Sequence, residues 1–170
     1  HLGHRRSIDF DLFTQKAFHH ASLERKVRRL IDIGQVLKNR EGEFTFYVNK
    51  VKCTFFNYPF YIPYTVYLEP EIQIPDIITL SAMKAFALGR RAKWKDYVDL
   101  YFIMKDYFSC AEIAKRGKEL FGGEFNEKLF RIQLTYFKDI NYEEEVEFLP
   151  GFAVNEKKIK QALIDFSLQK

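Results

Sequence analysis

The sequence predicts an α+β chain, with strands over about the first 75 residues and helices over the rest. Three observations carry that reading: period-two alternation near the N-terminus, a β-branched and aromatic cluster over 44–56, and apolar residues at three- and four-residue steps from position 76 onward. A length of 170 residues suits one domain, or one domain with a helical appendage. The shift in pattern places a soft boundary near Pro75, dividing the chain into 1–75, a sheet core, and 76–170, a helical half.

The elements follow in order. Over 7–13, Ser7, Asp9 and Asp11 point one way while Ile8, Phe10 and Leu12 point the other, the pattern of a half-buried strand with an acidic and an apolar face. Over 21–39, Leu23, Val27, Leu30, Ile31, Ile33, Val36 and Leu37 recur among charged residues, an amphipathic helix that Ser22 can cap. Segments 44–48 and 51–56 flank Asn49-Lys50 and read as a hairpin. Over 58–72, Pro59, Pro63 and Pro70, with Pro75 just beyond, point to extended edge structure or loop. Asp76 can cap a helix that runs through Ala82, Phe86 and Leu88 and stops at Gly89. Further helices are predicted over 94–108, 111–121, 126–137 and 156–166.

Composition narrows the class. Apolar residues make up 47% of the chain, with 18 Phe and 10 Tyr, which excludes a disordered protein. The net charge of +4 is dispersed, so it permits a nucleic-acid partner without arguing for one. Cys53 and Cys110 are too few for a disulfide framework and read as reduced thiols. No stretch approaches the roughly 18 to 20 apolar residues of a membrane span, and a cytoplasmic protein is expected. The chain enters a strand almost directly from His1, without Met, and the expectation is that a segment precedes it.

Asp9-Phe10-Asp11 is the first chemical constellation. Residues two apart on a strand project from one face, about 6 to 7 Å apart along the chain, so both carboxylates can meet a hard cation such as Mg²⁺. The same spacing fits a solvated strand face, and spacing alone does not separate the two.

The surrounding string, with His4, Arg5, Ser7, Asp9, Asp11, Leu12 and Phe13, resembles the HRxSxDxDLF segment of the AbiEii/AbiGii toxin family of nucleotidyltransferase-fold proteins. Lys52 is similar to the lysine of that family's Lys-x-Asp motif, whereas Thr54 stands where its aspartate, the third carboxylate, would be. The stretch with Lys84, Arg91, Asp96, Asp99, Leu100 and Tyr101 looks like the family's AxKxxAL…R…KDxxDLY pattern. The glycine-rich turn that precedes the family's DxD strand is absent from this chain. The resemblance implies a mixed sheet flanked by helices with a helical C-terminal half. It further implies Asp9 and Asp11 as metal ligands for Mg²⁺ or Mn²⁺, and Lys84 as catalytic beside them. His4, Arg5, Ser7, Lys52, Arg91, Asp96 and Asp99 would contact a nucleoside triphosphate. The implied activity is nucleotidyl transfer to an acceptor, with RNA a candidate, opposed by a cognate antitoxin. Lys84 can equally form a structural bridge to Asp96 or Asp99. Thr54 brings no charge for a second ion, which leaves open a non-catalytic nucleotide- or RNA-binding relative. A partner-binding domain with solvated Asp9 and Asp11 is the third reading.

Smaller candidates read as structure. His19 and His20 point apart as surface residues, Cys53 is a buried thiol, and Glu143-Glu144-Glu145 is a solvated face. The aromatic runs 55–61 and 64–67 read as packing, with base stacking the alternative.

Overall fold

The computed structural model describes residues 1–169 and confirms the α+β class. The chain forms two compact units: Ser7–Tyr61, and residues 1–6 together with the chain from Ile62 onward.

In the Ser7–Tyr61 unit, β1 (Asp9–Thr14), β2 (Val36–Arg40), β3 (Glu43–Val48) and β4 (Val51–Asn57) form a mixed sheet in the order β1-β4-β3-β2. Strand β1 runs parallel to β4, while β3 is antiparallel to both β4 and β2. Asn49 and Lys50 make the predicted β3–β4 turn with φ of 48° and 68°, the left-handed pair that a tight two-residue hairpin requires. Helix α1 (His20–Leu30) covers one face through Val27, packed with Ile33, Phe44 and Phe46, and Phe18, Leu23, Val36 and Phe55 border this core.

Three expectations for this unit are corrected. The helix ends at Leu30, Ile31 turns extended, and Val36–Arg40 is a strand. Gly34 N–H donates to the Tyr47 carbonyl and Tyr47 N–H to the Gln35 carbonyl, and this pairing with β3 outweighs the helical periodicity. The α1 N-cap is His19, without a side-chain bond, in place of Ser22. Phe10 on β1 is 61% exposed and Ile8, just ahead of the strand, 59%, because β1 is an edge strand and α1 packs against β2 and β3.

In the second unit, β5 (Val66–Glu69) and β6 (Ile72–Ile74) form a separate exposed hairpin in the proline-bracketed region. Helices α2 (Ile77–Leu88), α3 (Trp94–Asp106), α4 (Cys110–Phe121), α5 (Glu127–Gln133) and α6 (Glu156–Leu168) follow. Asp76 caps α2 by accepting from Thr79 N–H, and Ser109 and Glu112 cap α4 reciprocally. Helix α5 stops at Gln133, four residues short of expectation, where the Thr135 hydroxyl bonds the Ile132 carbonyl and competes with helix continuation. Helix α3 is the axis of this unit: every residue from Asp96 to Met104 is buried, with Tyr97, Leu100 and Ile103 at most 1% exposed. Helix α4 passes so close to Phe125 that a Cβ on Gly117 would stand 2.6 Å from its ring. Gly117→Ala is therefore expected to destabilise this unit by about 1–3 kcal/mol, measurable as a lower urea midpoint.

No helix among the described residues is long and apolar enough to cross a membrane.

Candidate functional site

The sequence-predicted residues fall into two clusters, one in each unit.

The first lies on the sheet face opposite α1. The parallel register sets Asp9 beside Lys52 and Asp11 beside Thr54, so all four project from one face. Lys52 Nζ is 2.9 Å from Asp9 Oδ2, and the Thr54 hydroxyl faces Thr45 Oγ1 at 3.4 Å. Asp11 is exposed and has no ion pair among the described residues. Two residues further along this face, Phe13 packs edge-on against Phe56 and Tyr58, a continuation that the sequence reading did not connect to the carboxylates. Strand periodicity could have found it, since Phe13 follows Asp9 and Asp11 in the same alternation. Cys53 lies on the opposite face, where burial and the charges of Asp11 and Asp9 push its thiol up, so it is a poor nucleophile. Ser7 is exposed ahead of β1.

The donor set fits a hard cation that arrives with a polyphosphate. Among the described residues, no group of three or more His, Cys, Asp and Glu side chains can hold a metal. Mg²⁺, however, commonly takes one or two carboxylates and completes its shell with water and substrate phosphate. Asp9 and Asp11 meet that requirement, with Lys52 balancing part of their charge.

The second cluster is built on α2 and α3. Asp96 and Asp99 are one turn apart on α3, 1% and 2% exposed, facing Lys84 in the middle of α2. Lys84 Nζ lies 2.5 Å from Asp99 Oδ2 and 3.3 Å from Asp96 Oδ1. Arg5 grips Asp99 with a fork, Nε to Oδ1 at 2.6 Å and Nη2 to Oδ2 at 2.8 Å, and His4 Nε2 is 2.7 Å from Oδ1. Arg91 Nε stands 3.4 Å from Asp96 Oδ2. Residues 4–6 are held against 147–149 by backbone bonds: Arg6 N–H to Glu147 and Leu149 N–H to His4.

The electrostatics are those of a compensated interior network. Burial alone would raise the Asp99 carboxyl, but Lys84, Arg5 and His4 outweigh it and hold the group well below the usual carboxylate range. Burial alone would lower the Lys84 ammonium, yet Asp99 and Asp96 keep it above its ordinary value, so Lys84 is a charged cation at neutral pH. The structural-bridge geometry for Lys84 is thus present, and His4 and Arg5, expected to contact nucleotide, are engaged with Asp99.

Two smaller expectations change. His19 and His20 stack at 5.1 Å because the helix begins between them, so they do not point apart. Glu144 pairs with Lys93 and Lys95, which push its carboxyl down to about 2 against the opposing effect of burial, whereas Glu143 and Glu145 are exposed. A cavity of about 790 Å³ lined by Phe125, Asn126, Arg131 and Ile132 contains none of the predicted site residues.

Comparison with known proteins points to one family. The sequence model described as "Nucleotidyl transferase AbiEii toxin, Type IV TA system" matches residues 54–166, well over half of the chain. The match includes Lys84, Arg91, Asp96 and Asp99 and begins after Asp9 and Asp11. An uncharacterized protein of Aquifex aeolicus, aq_aa25, is 27% identical over 96% of this chain and 81% of its own length. A crystal structure of a candidate nucleotidyltransferase from Helicobacter pylori superimposes with a TM-score of 0.50 at 16% identity, over 96% of this chain and 77% of that one. The crystal structure of JHP933 from Helicobacter pylori gives a TM-score of 0.49 at 18% identity, over 96% and 75%. At such identities the 0.50 likeness speaks for the fold.

Proposed function

Because the chain belongs to the AbiEii nucleotidyl transferase toxin family, we propose that it transfers a nucleotidyl group from a nucleoside triphosphate to an acceptor, with RNA the acceptor class. The observation that carries this reading is the β1–β4 register, which gathers two carboxylates, an ammonium and a hydroxyl on one exposed strand face. Asp9 and Asp11 would hold Mg²⁺ or Mn²⁺. An ion held by these two carboxylates would supply charge neutralisation for the triphosphate and Lewis acidity for the attacking oxygen. Lys52, beside Asp9, orients that carboxylate and supplies a cation for a phosphate oxygen. Within the helical unit, Lys84 and Arg91 are cations of the kind that hold phosphate, and Asp99 keeps the Lys84 ammonium fixed and protonated. Such fixed charges stabilise a phosphoryl transition state without reorganising as it forms. His4 and Arg5 act in this scheme within the helical unit by way of Asp99, which they hold in place beside Lys84. A cognate antitoxin and a cytoplasmic setting accompany the family's toxin–antitoxin role.

One observation favours a second reading. The lateral neighbour of Asp11 is Thr54, a hydroxyl without charge, and a relative that binds nucleotide without transfer would tolerate it. Incubating the chain with labelled NTP, total RNA and Mg²⁺ separates the two. Label in RNA is expected from the enzyme, whereas tight NTP binding with no transfer would establish the second reading. Thr54→Asp, which adds a carboxylate beside Asp11, is expected to raise the transfer rate about tenfold or more, since each 1.4 kcal/mol off the barrier is about tenfold. An unchanged or lower rate would show that the hydroxyl suits this chain's chemistry.

A further inference from the structure

Asp96 and Asp99 sit one turn apart on the same helix, and both are buried, yet their oxygens are treated differently. Asp99 is saturated: Oδ1 meets His4 Nε2 and Arg5 Nε, and Oδ2 meets Arg5 Nη2 and Lys84 Nζ. Asp96 has Lys84 on Oδ1, but its Oδ2 is buried without a hydrogen-bond donor among the described residues. Arg91 Nε stands 3.4 Å from that oxygen as an ion pair outside hydrogen-bond geometry, on a side chain that is 51% exposed. A buried acceptor without a donor is costly and uncommon in native structures, and it points to a donor that this structure does not contain. Arg91, half in solvent and weakly held, is the group that can swing aside to admit it.

We infer that the two carboxylates divide the work: Asp99 is a positioning residue that fixes Lys84, and Asp96 Oδ2 accepts a hydrogen bond from a ligand hydroxyl. The chemistry beside that oxygen narrows the ligand. Lys84 and Arg91 are cations suited to phosphate, while a carboxylate repels phosphate oxygens and accepts only from a donor. A molecule with phosphate and a nearby hydroxyl satisfies both, and the ribose of a nucleotide is such a group. The inference rests on the nucleotide reading above and specifies a preference for ribose over deoxyribose.

Titration calorimetry with Mg²⁺ tests it, using ATP, CTP, GTP and UTP, their 2′-deoxy and 3′-deoxy counterparts, and inorganic tripolyphosphate. For the best-bound nucleotide, the ribo form is expected to bind about tenfold to a hundredfold tighter than one of its deoxy forms, the range of a charged hydrogen bond. In Asp96→Asn that ratio is expected to fall below about twofold, with tripolyphosphate affinity changed by less than about threefold. Arg5→Gln, which loosens Asp99 while leaving its pair with Lys84, is expected to weaken NTP and tripolyphosphate alike and to preserve the ratio. A ribo-to-deoxy ratio near one in the unmodified chain overturns the inference while leaving the nucleotide reading intact. A ratio that survives Asp96→Asn also overturns it. If no nucleotide binds the folded chain at all, the inference and the nucleotide reading fall together.

Discussion

Asp11→Ala is expected to reduce Mg²⁺-dependent nucleotidyl transfer by about a thousandfold or more, with the fold intact. Asp9 shares its charge with Lys52 at 2.9 Å, whereas Asp11 faces only a hydroxyl across the register and has no ion pair among the described residues. Asp11 is therefore the less compensated anion on that face, and in the proposed site it would be the stronger ligand for a divalent ion. A catalytic metal supplies several kcal/mol of charge stabilisation, and losing about 4 kcal/mol corresponds to about a thousandfold in rate. Asp11 is also exposed on an edge strand, so its removal leaves the core packed around Phe44 and Phe46 untouched. Circular dichroism and the urea midpoint are expected to match the unmodified chain. A rate within threefold of the parent would remove Asp11 from the reaction.

Asp99→Ala carries the largest expected effect on stability. Truncation leaves Arg5 and Lys84 facing each other in a largely buried site without the carboxylate that compensates both. Breaking a buried pair by removing one partner costs about 3–5 kcal/mol. At about 2–4 °C per kcal/mol for a chain of this size, that corresponds to a melting temperature lower by about 10 °C. The network also predicts a pH dependence. The folded-state pKa of Asp99 is depressed by Lys84, Arg5 and His4, so its contribution is complete above the unfolded carboxylate value of about 3.9 and is lost as pH falls below it. Acid unfolding below about pH 4 should accordingly have a shallower pH slope in Asp99→Asn than in the parent. Equal slopes would mean that Asp99 is not the group being titrated.

Where the sequence was legible, local chemistry and tertiary pairing agreed. Asp76 caps α2 through its side chain and Gly89 ends it as expected, although Gly89 does so in the right-handed region, with φ of −65°. Asn49-Lys50 formed the hairpin turn despite lacking glycine. The helix predicted over 21–39 failed because period-3.6 spacing in Ile33, Val36 and Leu37 is also compatible with a strand once β3 offers backbone partners at Tyr47. The exposure of the apolar side of β1 has a related cause. Alternation reports which residues share a face, but whether that face is covered depends on where the strand sits in the sheet. The pairing of Asp9 with Lys52 and of Asp11 with Thr54 was also invisible to spacing, since register joins segments about 43 residues apart. In the helical unit, the i, i+3 spacing of Asp96 and Asp99 correctly put them on one face. It could not reveal that one would be saturated by His4 and Arg5, from the opposite end of the sequence, and the other left with an unpartnered oxygen.

Nucleotidyl transfer by this chain is tested by where a radiolabel on the NTP ends up. With Mg²⁺ and total RNA, an NTP labelled on the α-phosphate is expected to transfer label to RNA, while the same NTP labelled on the γ-phosphate is expected to release it as pyrophosphate. Transfer of the γ-label, or of neither label by a folded chain that binds NTP, would rule out nucleotidyl transfer.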